Sequence, residues 1–157
     1  NRGYKKFIMI TGDTSLLSTR IERASGFMDA LKDNGFGYDT LVIEDDDHSK
    51  SDIEDFLKAV VPDKEETLVF APNCWALPMV FTAMKNLNFD MPRVGLVGFD
   101  NIEWTDFSSP KVSTIVQPAY EEGEQVAQIL INRIEGDDSV DNQQIVDCQM
   151  FWKESTF

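Results

Sequence analysis

The stretch Val94-Gly95-Leu96-Val97-Gly98-Phe99-Asp100-Asn101 decides the fold. Its apolar run is continuous rather than alternating, as in a strand buried on both faces of a parallel sheet. It then presents an aromatic ring and two polar side chains, and open α/β sheets hold their ligands at the carboxyl ends of their strands. The next run, Ser109-Pro110-Lys111-Val112-Ser113-Thr114-Ile115-Val116-Gln117-Pro118, is β-branched and closes on proline. It reads as a strand leaving the sheet.

Outward from this pair, strands and helices alternate. Strands are expected at Phe7 to Ile10, Tyr38 to Ile43, Thr67 to Ala71, Arg93 to Gly98, Val112 to Val116, and finally near Ile145 to Phe151. The first helix carries the stripe Ile21, Ala24, Phe27, Met28 and Leu31 and is stopped by Gly35. The second carries Ile53, Phe56, Leu57, Val60 and Val61 and ends at Pro62. The third carries Leu77, Val80, Phe81, Met84 and Leu87, with Pro78 tolerated near its first turn. The fourth runs from Tyr120 through Val126, Leu130 and Ile131 to Ile134, ends at Gly136, and gives way to a polar loop, Asp137 to Asn142. Thr19 with Glu22, and Ser51 with Glu54, have capping-box spacing. The pattern predicts an α/β fold: a doubly wound, mainly parallel sheet with helices on both faces.

Composition narrows the function. The 157 residues carry 28 acidic and 14 basic side chains, a formal charge of -14. Such a surface repels phosphate backbones, and neither a basic stripe nor a helix-turn-helix signal is present, so this chain alone is not expected to bind DNA. Nothing approaches the ~20 apolar residues of a membrane span. The opening Asn1-Arg2-Gly3-Tyr4 carries no initiator Met or signal pattern and reads as a processed or truncated beginning. Cys74 and Cys148 form no CxxC, so a disulfide framework or zinc site is not expected. Both are expected to be buried thiols in a reducing cytoplasm. His48 beside the acidic run Glu44 to Asp47 is too little for a metal site; no metal or cofactor is expected.

The loops after the strands contribute Asp13, Thr14 and Ser15; Glu44 to Asp47; Asn73, Cys74 and Trp75; and Asp100, Asn101 and Trp104. Arg23, about one turn into the first helix, can reach back to the same edge. There is no nucleophile-base-orienter order and no glycine-rich phosphate loop, so an enzyme is not expected. Arg, Asn and Asp with aromatics between them suit a cluster of hydroxyls, because carboxylates accept, guanidinium donates a fork, and indole covers an apolar ring face. Plainer roles stay open. Arg23 can pair with Glu22 or Asp29, Asn73 can cap a helix, and Asp100 can bond its own turn. Trp75 and Trp104 can be packing residues, and Glu44 to Asp47 a solvated loop.

Taken in order, these segments resemble the effector domain of lactose-repressor-type (LacI/GalR) regulators. The resemblance is carried by Gly3 to Ile10, by Arg23-Ala24-Ser25-Gly26-Phe27 with Ala30-Leu31, and by Phe70-Ala71-Pro72-Asn73-Cys74-Trp75-Ala76-Leu77. It continues through Gly98-Phe99-Asp100-Asn101, Ser113-Thr114-Ile115-Val116-Gln117-Pro118 and the closing Trp152-Lys153-Glu154-Ser155-Thr156. It implies that Arg23, Asn73 and Asp100 grip hydroxyls of a sugar-like effector, with Asp13, Trp75 and Trp104 nearby. Cys74 stands where the family usually has Asp, and Pro78 replaces a more flexible residue. The resemblance further implies that residues 1–116 form the second lobe of a two-lobed domain. Residues 117–144 would cross to a first lobe upstream, and residues 145–157 would return. The apolar face of the crossing helix would then pack on a second copy or fold back on this one. The implied whole is a cytoplasmic, homodimeric, sugar-responsive transcription regulator that touches operator DNA only through an upstream headpiece. The alternatives are a transport-type sugar-binding protein, which shares the two-lobed fold, and a phospho-receiver, which lacks its carboxylate where Ala71-Pro72-Asn73 stands.

Overall fold

The computed structural model describes residues 3–15, 17–44, 46, 48–63, 65–137 and 144–157. Asn1, Arg2, Asp45, Asp47 and most of the polar loop Asp137 to Asn142 therefore lie outside the described residues. The elements run β1 (Lys6–Gly12), α1 (Ser18–Asp33), β2 (Asp39–Ile43), α2 (His48–Val60), β3 (Thr67–Ala71), α3 (Ala76–Asn86), β4 (Val94–Phe99), α4 (Ile102–Phe107), β5 (Ser113–Val116), α5 (Ala119–Ile134) and β6 (Gln149–Phe151). The sheet order is β2-β1-β3-β4-β5-β6. Strands β1 to β5 are parallel, and β6 lies antiparallel to β5 with Ile115 opposite Met150. The chain moves to one side from β1 to β2 and to the other from β1 to β3. Their carboxyl ends therefore diverge at the β1/β3 boundary, where such sheets open a ligand crevice.

Alternation along the strands assigns the two faces. Ile8, Ile10, Val69, Ala71, Val94 and Leu96 point one way and are buried beneath α2 and α3 by Ile53, Leu57, Leu77, Val80 and Met84. Met9, Phe70, Val97 and Phe99 point the other way and meet Ala24, with Phe27 and Met28 of α1. Helix α1 closes on Gly35 (φ +75°) in a Schellman motif: the Gly35 N–H donates to the Lys32 carbonyl (3.0 Å) and the Phe36 N–H to that of Leu31 (2.9 Å). The turn delivers the Phe36 ring to Phe7, 5.0 Å between centroids.

Several expectations need correction. Neither capping box forms. Helix α1 starts at Ser18 behind Leu17 with no side-chain cap, and α2 starts at His48, where the Asp46 carboxylate accepts from the Ser49 N–H and hydroxyl, both at 2.9 Å. Ile21 faces outward, because α1 buries only Ala24 and Leu31. Cys74 and Cys148 are both exposed, since each sits in a strand-end loop rather than on a strand face. The last strand is shortened to Gln149–Phe151, and Ile145 is 96% exposed. Helix α4 was not foreseen. Helix α5 buries none of its residues, so its apolar face does not fold back on this chain.

The C-terminal tail completes the sheet. Ser155, fully buried, fills the gap below the point where β4 and β5 begin to pair. Its hydroxyl donates to the Leu96 carbonyl (2.6 Å) and accepts from the Ser113 N–H (2.9 Å). Its carbonyl accepts from the Leu96 N–H at 3.3 Å.

Gly98 lies directly under Leu77 of α3. A Cβ there would lie 2.3 Å from Leu77 Cδ2, and Leu77 is itself fully buried. Gly98→Ala is expected to destabilise by about 1–3 kcal/mol through overpacking, read as a lower urea midpoint at unchanged slope. A midpoint equal to the parent's would show that Leu77 has room to move.

Candidate functional site

The carboxyl edge of the sheet brings together most of the residues expected there, in different roles. Asn73 follows β3 and is 5% exposed. Its Oδ1 accepts from the Thr11 hydroxyl (3.0 Å) and the Gly12 N–H (2.8 Å), clamping the ends of β1 and β3 together. Only its backbone carbonyl serves α3, accepting from the N–H groups of Ala76 and Leu77. Its side-chain oxygen is thus committed to the crevice floor and is not a helix cap.

Arg23 pairs with neither Glu22 nor Asp29. The guanidinium spans the helix–sheet gap instead, donating to the Pro72 carbonyl at 3.1 Å and lying over the Phe99 ring, 3.7 Å from its centroid. That stacking adds a cation–π attraction and flattens the fork against the end of β4.

Asp100 and Asn101 both take left-handed backbone angles, φ +57° at each, which Asp and Asn tolerate better than other non-glycine residues. The Asp100 N–H donates to the Ile115 carbonyl (2.6 Å), and its carbonyl accepts from the Thr114 hydroxyl (2.8 Å). Its carboxylate accepts from Gln117 twice, Oδ1 from the backbone N–H (3.1 Å) and Oδ2 from Nε2 (2.6 Å). An ionised carboxylate has about four acceptor positions, so one on each oxygen remains for a ligand. Asn101 donates to the Cys74 carbonyl at 3.3 Å, joining the loops after β3 and β4.

Asp13 is exposed and accepts from the Ser15 N–H (2.8 Å) and hydroxyl (2.7 Å). Those bonds hold its carboxyl below the usual carboxylate range, with Arg20 adding to the effect. Trp75 lies against Gly12, where a Cβ would meet its ring at 2.8 Å. Trp104 packs edge-on against Phe81 of α3, 5.2 Å between ring centroids. Glu44 and Asp46 are exposed, and among the described residues no group of three or more His, Cys, Asp or Glu could hold a metal ion.

Three residues at this edge escaped the sequence reading. Gln117 holds Asp100. Arg20 donates to the Asp13 carbonyl at 3.1 Å beside Gly12. Its three-residue offset from Arg23 was the available signal, since such pairs are neighbours on one helix face. Cys148 lies near enough to Asp100, Glu122 and Arg23 to feel their charges. Partial burial pushes its thiol up, the two carboxylates push it further, and Arg23 opposes them. A cavity of about 350 Å³ adjoins this edge on the α1 face between Arg23, Phe27, Phe99, Ile115 and Met150.

Comparison with known proteins agrees with this architecture. The family model described as periplasmic binding protein-like domain matches residues 1–156. The HTH-type transcriptional regulator KdgR of Bacillus subtilis is 29% identical over 142 residues, covering 87% of this chain and 41% of that protein. A periplasmic binding protein/LacI transcriptional regulator from Alkaliphilus metalliredigens, complexed with D-xylulofuranose, superposes with a TM-score of 0.76 at 23% identity over 99% of this chain and 58% of that one. A LacI family regulator from Arthrobacter in complex with lactose gives 0.76 at 19% over 98% and 57%. The chain thus spans well under two thirds of the proteins it matches. Relatives that are transcriptional regulators, and a mainly parallel sheet of this order, bear out the resemblance read from the sequence: the chain belongs to the periplasmic binding protein-like domain family.

Proposed function

We propose that this chain is the effector-sensing part of a LacI-type transcription regulator, with its ligand, a sugar or sugar derivative, held at the carboxyl edge of the sheet. The observation that carries the reading is the Asp100 carboxylate. It is fixed by two Gln117 bonds yet keeps an acceptor position on each oxygen beside Asn101 and Arg23. That is a group prepared for neighbouring hydroxyls. The relative KdgR, matched over 87% of this chain, is a regulator, which favours regulation over transport, and two superposable domains carry sugars.

In this reading residues 1–116 are one lobe, residues 117–144 cross to a partner lobe, and residues 145–157 return. Gln117 joins the ligand carboxylate to the start of the crossing, and the unburied face of α5 is covered by the partner lobe or by a second copy in a homodimer. Closure of the lobes on ligand biases a DNA-binding part outside this chain, which is coupling through two global states. A cytoplasmic location follows from that role.

Calorimetric titration with lactose and D-xylulose tests the reading. Asp100→Ala is expected to weaken binding roughly 10- to 150-fold, the worth of hydrogen bonds to a charged group. Asp100→Asn, which keeps the tolerance for left-handed backbone, separates that loss from a collapsed loop. Unchanged affinity in both variants would move the ligand elsewhere.

A further inference from the structure

We infer that the ligand of this site is a sugar bearing a carboxylate, with Arg20 and Arg23 as its anion grip; the inference rests on the sugar-sensing reading above. The two arginines stand three residues apart on α1, so their side chains leave neighbouring points on one helix face. Both are half-buried and both reach the edge where β1, β3 and β4 end. Arg20 lies beside Gly12 at the end of β1 and donates to the Asp13 carbonyl at 3.1 Å. Arg23 lies over Phe99 at the end of β4 and donates to the Pro72 carbonyl at 3.1 Å. Each is thereby aimed by a neutral backbone oxygen, with most of its five N–H donors left over.

Acidic side chains outnumber basic ones 28 to 14, and three lysines pair with carboxylates: Lys6 with Asp39, Lys58 with Asp55, Lys153 with Asp106. Among the described residues, neither Arg20 nor Arg23 forms an ion pair. The carboxylate nearest in sequence to the crevice mouth, Asp13, is occupied by Ser15. A guanidinium cannot shed its proton to relieve partial desolvation, so a half-buried one favours the arrival of an anion.

Geometry and charge narrow that anion. A carboxylate matches the planar fork in two parallel bonds. A phosphate ester, carrying up to two charges, would face the Asp13 and Asp100 carboxylates. It would also lack amides at α3, where the Ala76 and Leu77 N–H groups are already taken by the Asn73 carbonyl. The hydroxyls then fall to the open acceptor positions of Asp100, which follows the Phe99 that Arg23 covers.

The test titrates the chain with glucuronate, galacturonate and gluconate, each paired with its neutral parent sugar, and with glucose 6-phosphate. Binding is followed by calorimetry and by the arginine Nε–H resonances, which report even millimolar affinity. The acids are expected to shift the Arg20 and Arg23 resonances and to bind at least about tenfold tighter than their parents. In Arg20→Gln that ratio falls towards one, and Arg20→Lys, which keeps charge without the fork, lies between. Equal binding of acid and parent, a tighter phosphate ester, or an unchanged ratio in Arg20→Gln overturns the inference while leaving sugar sensing in place. If no sugar of either kind moves a resonance at this edge, both fall.

Discussion

Replacing Asn73 with alanine is expected to lower the unfolding free energy by about 3 kcal/mol, with the thermal midpoint dropping roughly 6–12 °C for a domain of this size. The side-chain oxygen is the acceptor for the Gly12 N–H (2.8 Å) and a partner of the Thr11 hydroxyl (3.0 Å), and all three residues are buried. Alanine removes the acceptor and leaves both donors in place. The Thr11 hydroxyl can still turn to the Gly12 carbonyl at 3.1 Å, but the Gly12 N–H has no second choice. An unpaired buried amide costs about 1–3 kcal/mol, and the space left by the amide adds to it. Urea unfolding measures this directly; a loss under about 1 kcal/mol would mean that water or a shifted loop satisfies Gly12. Because Asn73 holds the crevice floor, the same variant should bind ligand more weakly without having lost a ligand contact. Its stability and its affinity should therefore fall together, whereas Asp100→Asn, which keeps the tolerance for left-handed backbone, separates them.

The contrast between Asn73 and Asp100 also shows how far a sequence alone can go. Strands were readable because continuous apolar runs bounded by glycine, proline or charge leave little choice: Thr67 to Ala71 is found with the bounds expected. The mainly parallel, doubly wound sheet followed from alternation with helices, while the strand order and the antiparallel β6 did not. Helix α4 was invisible because only Thr105 of its six residues is buried, so it has no apolar period. It exists because the left-handed pair Asp100-Asn101 turns the chain into it, and because Lys153 from the tail bonds Thr105 (2.9 Å) and Asp106 (2.8 Å). The final strand was read too long for a related reason. Ile145 is apolar and β-branched, but pairing with β5 begins only at Gln149.

At the candidate site, residue types announced the edge but not the division of labour. Asn73, Arg23 and Asp100 are all polar groups at strand ends, and nothing in their local sequence says that Asn73 faces inward to Thr11 while Asp100 faces Gln117. Those partners are 62 and 17 positions away. The role of Gln117 required knowing that β5 lies beside β4, and that of Arg20 required knowing which face of α1 meets the end of β1. Cys148 joins the edge only because β6 runs back antiparallel along β5. Each of these is set by tertiary pairing, which the local pattern does not encode.

The same dependence on distant partners governs the tail, where the second large effect is expected. Ser155→Val should cost about 3 kcal/mol or more, while its exposed neighbour Glu154→Ala should cost under about 1 kcal/mol. The Ser155 hydroxyl is both donor to the Leu96 carbonyl and acceptor for the Ser113 N–H, in a place with no solvent exposure. Valine fills the volume but satisfies neither group, so no water enters to replace the lost bonds. The damage also spreads along a hydroxyl chain. Ser113 Oγ, 2.6 Å from the Thr156 hydroxyl, accepts from the Lys153 N–H at 2.7 Å, and both residues lie on the tail that Ser155 pins. Loosening that tail frees Lys153 from α4, and α4 follows directly on the loop that presents Asp100. The expected signature is a lower urea midpoint together with faster amide exchange at Ser113, Thr105 and Asp100. A stability loss confined to the tail, with exchange at Asp100 unchanged, would show that the closing residues hold the sheet without holding the site.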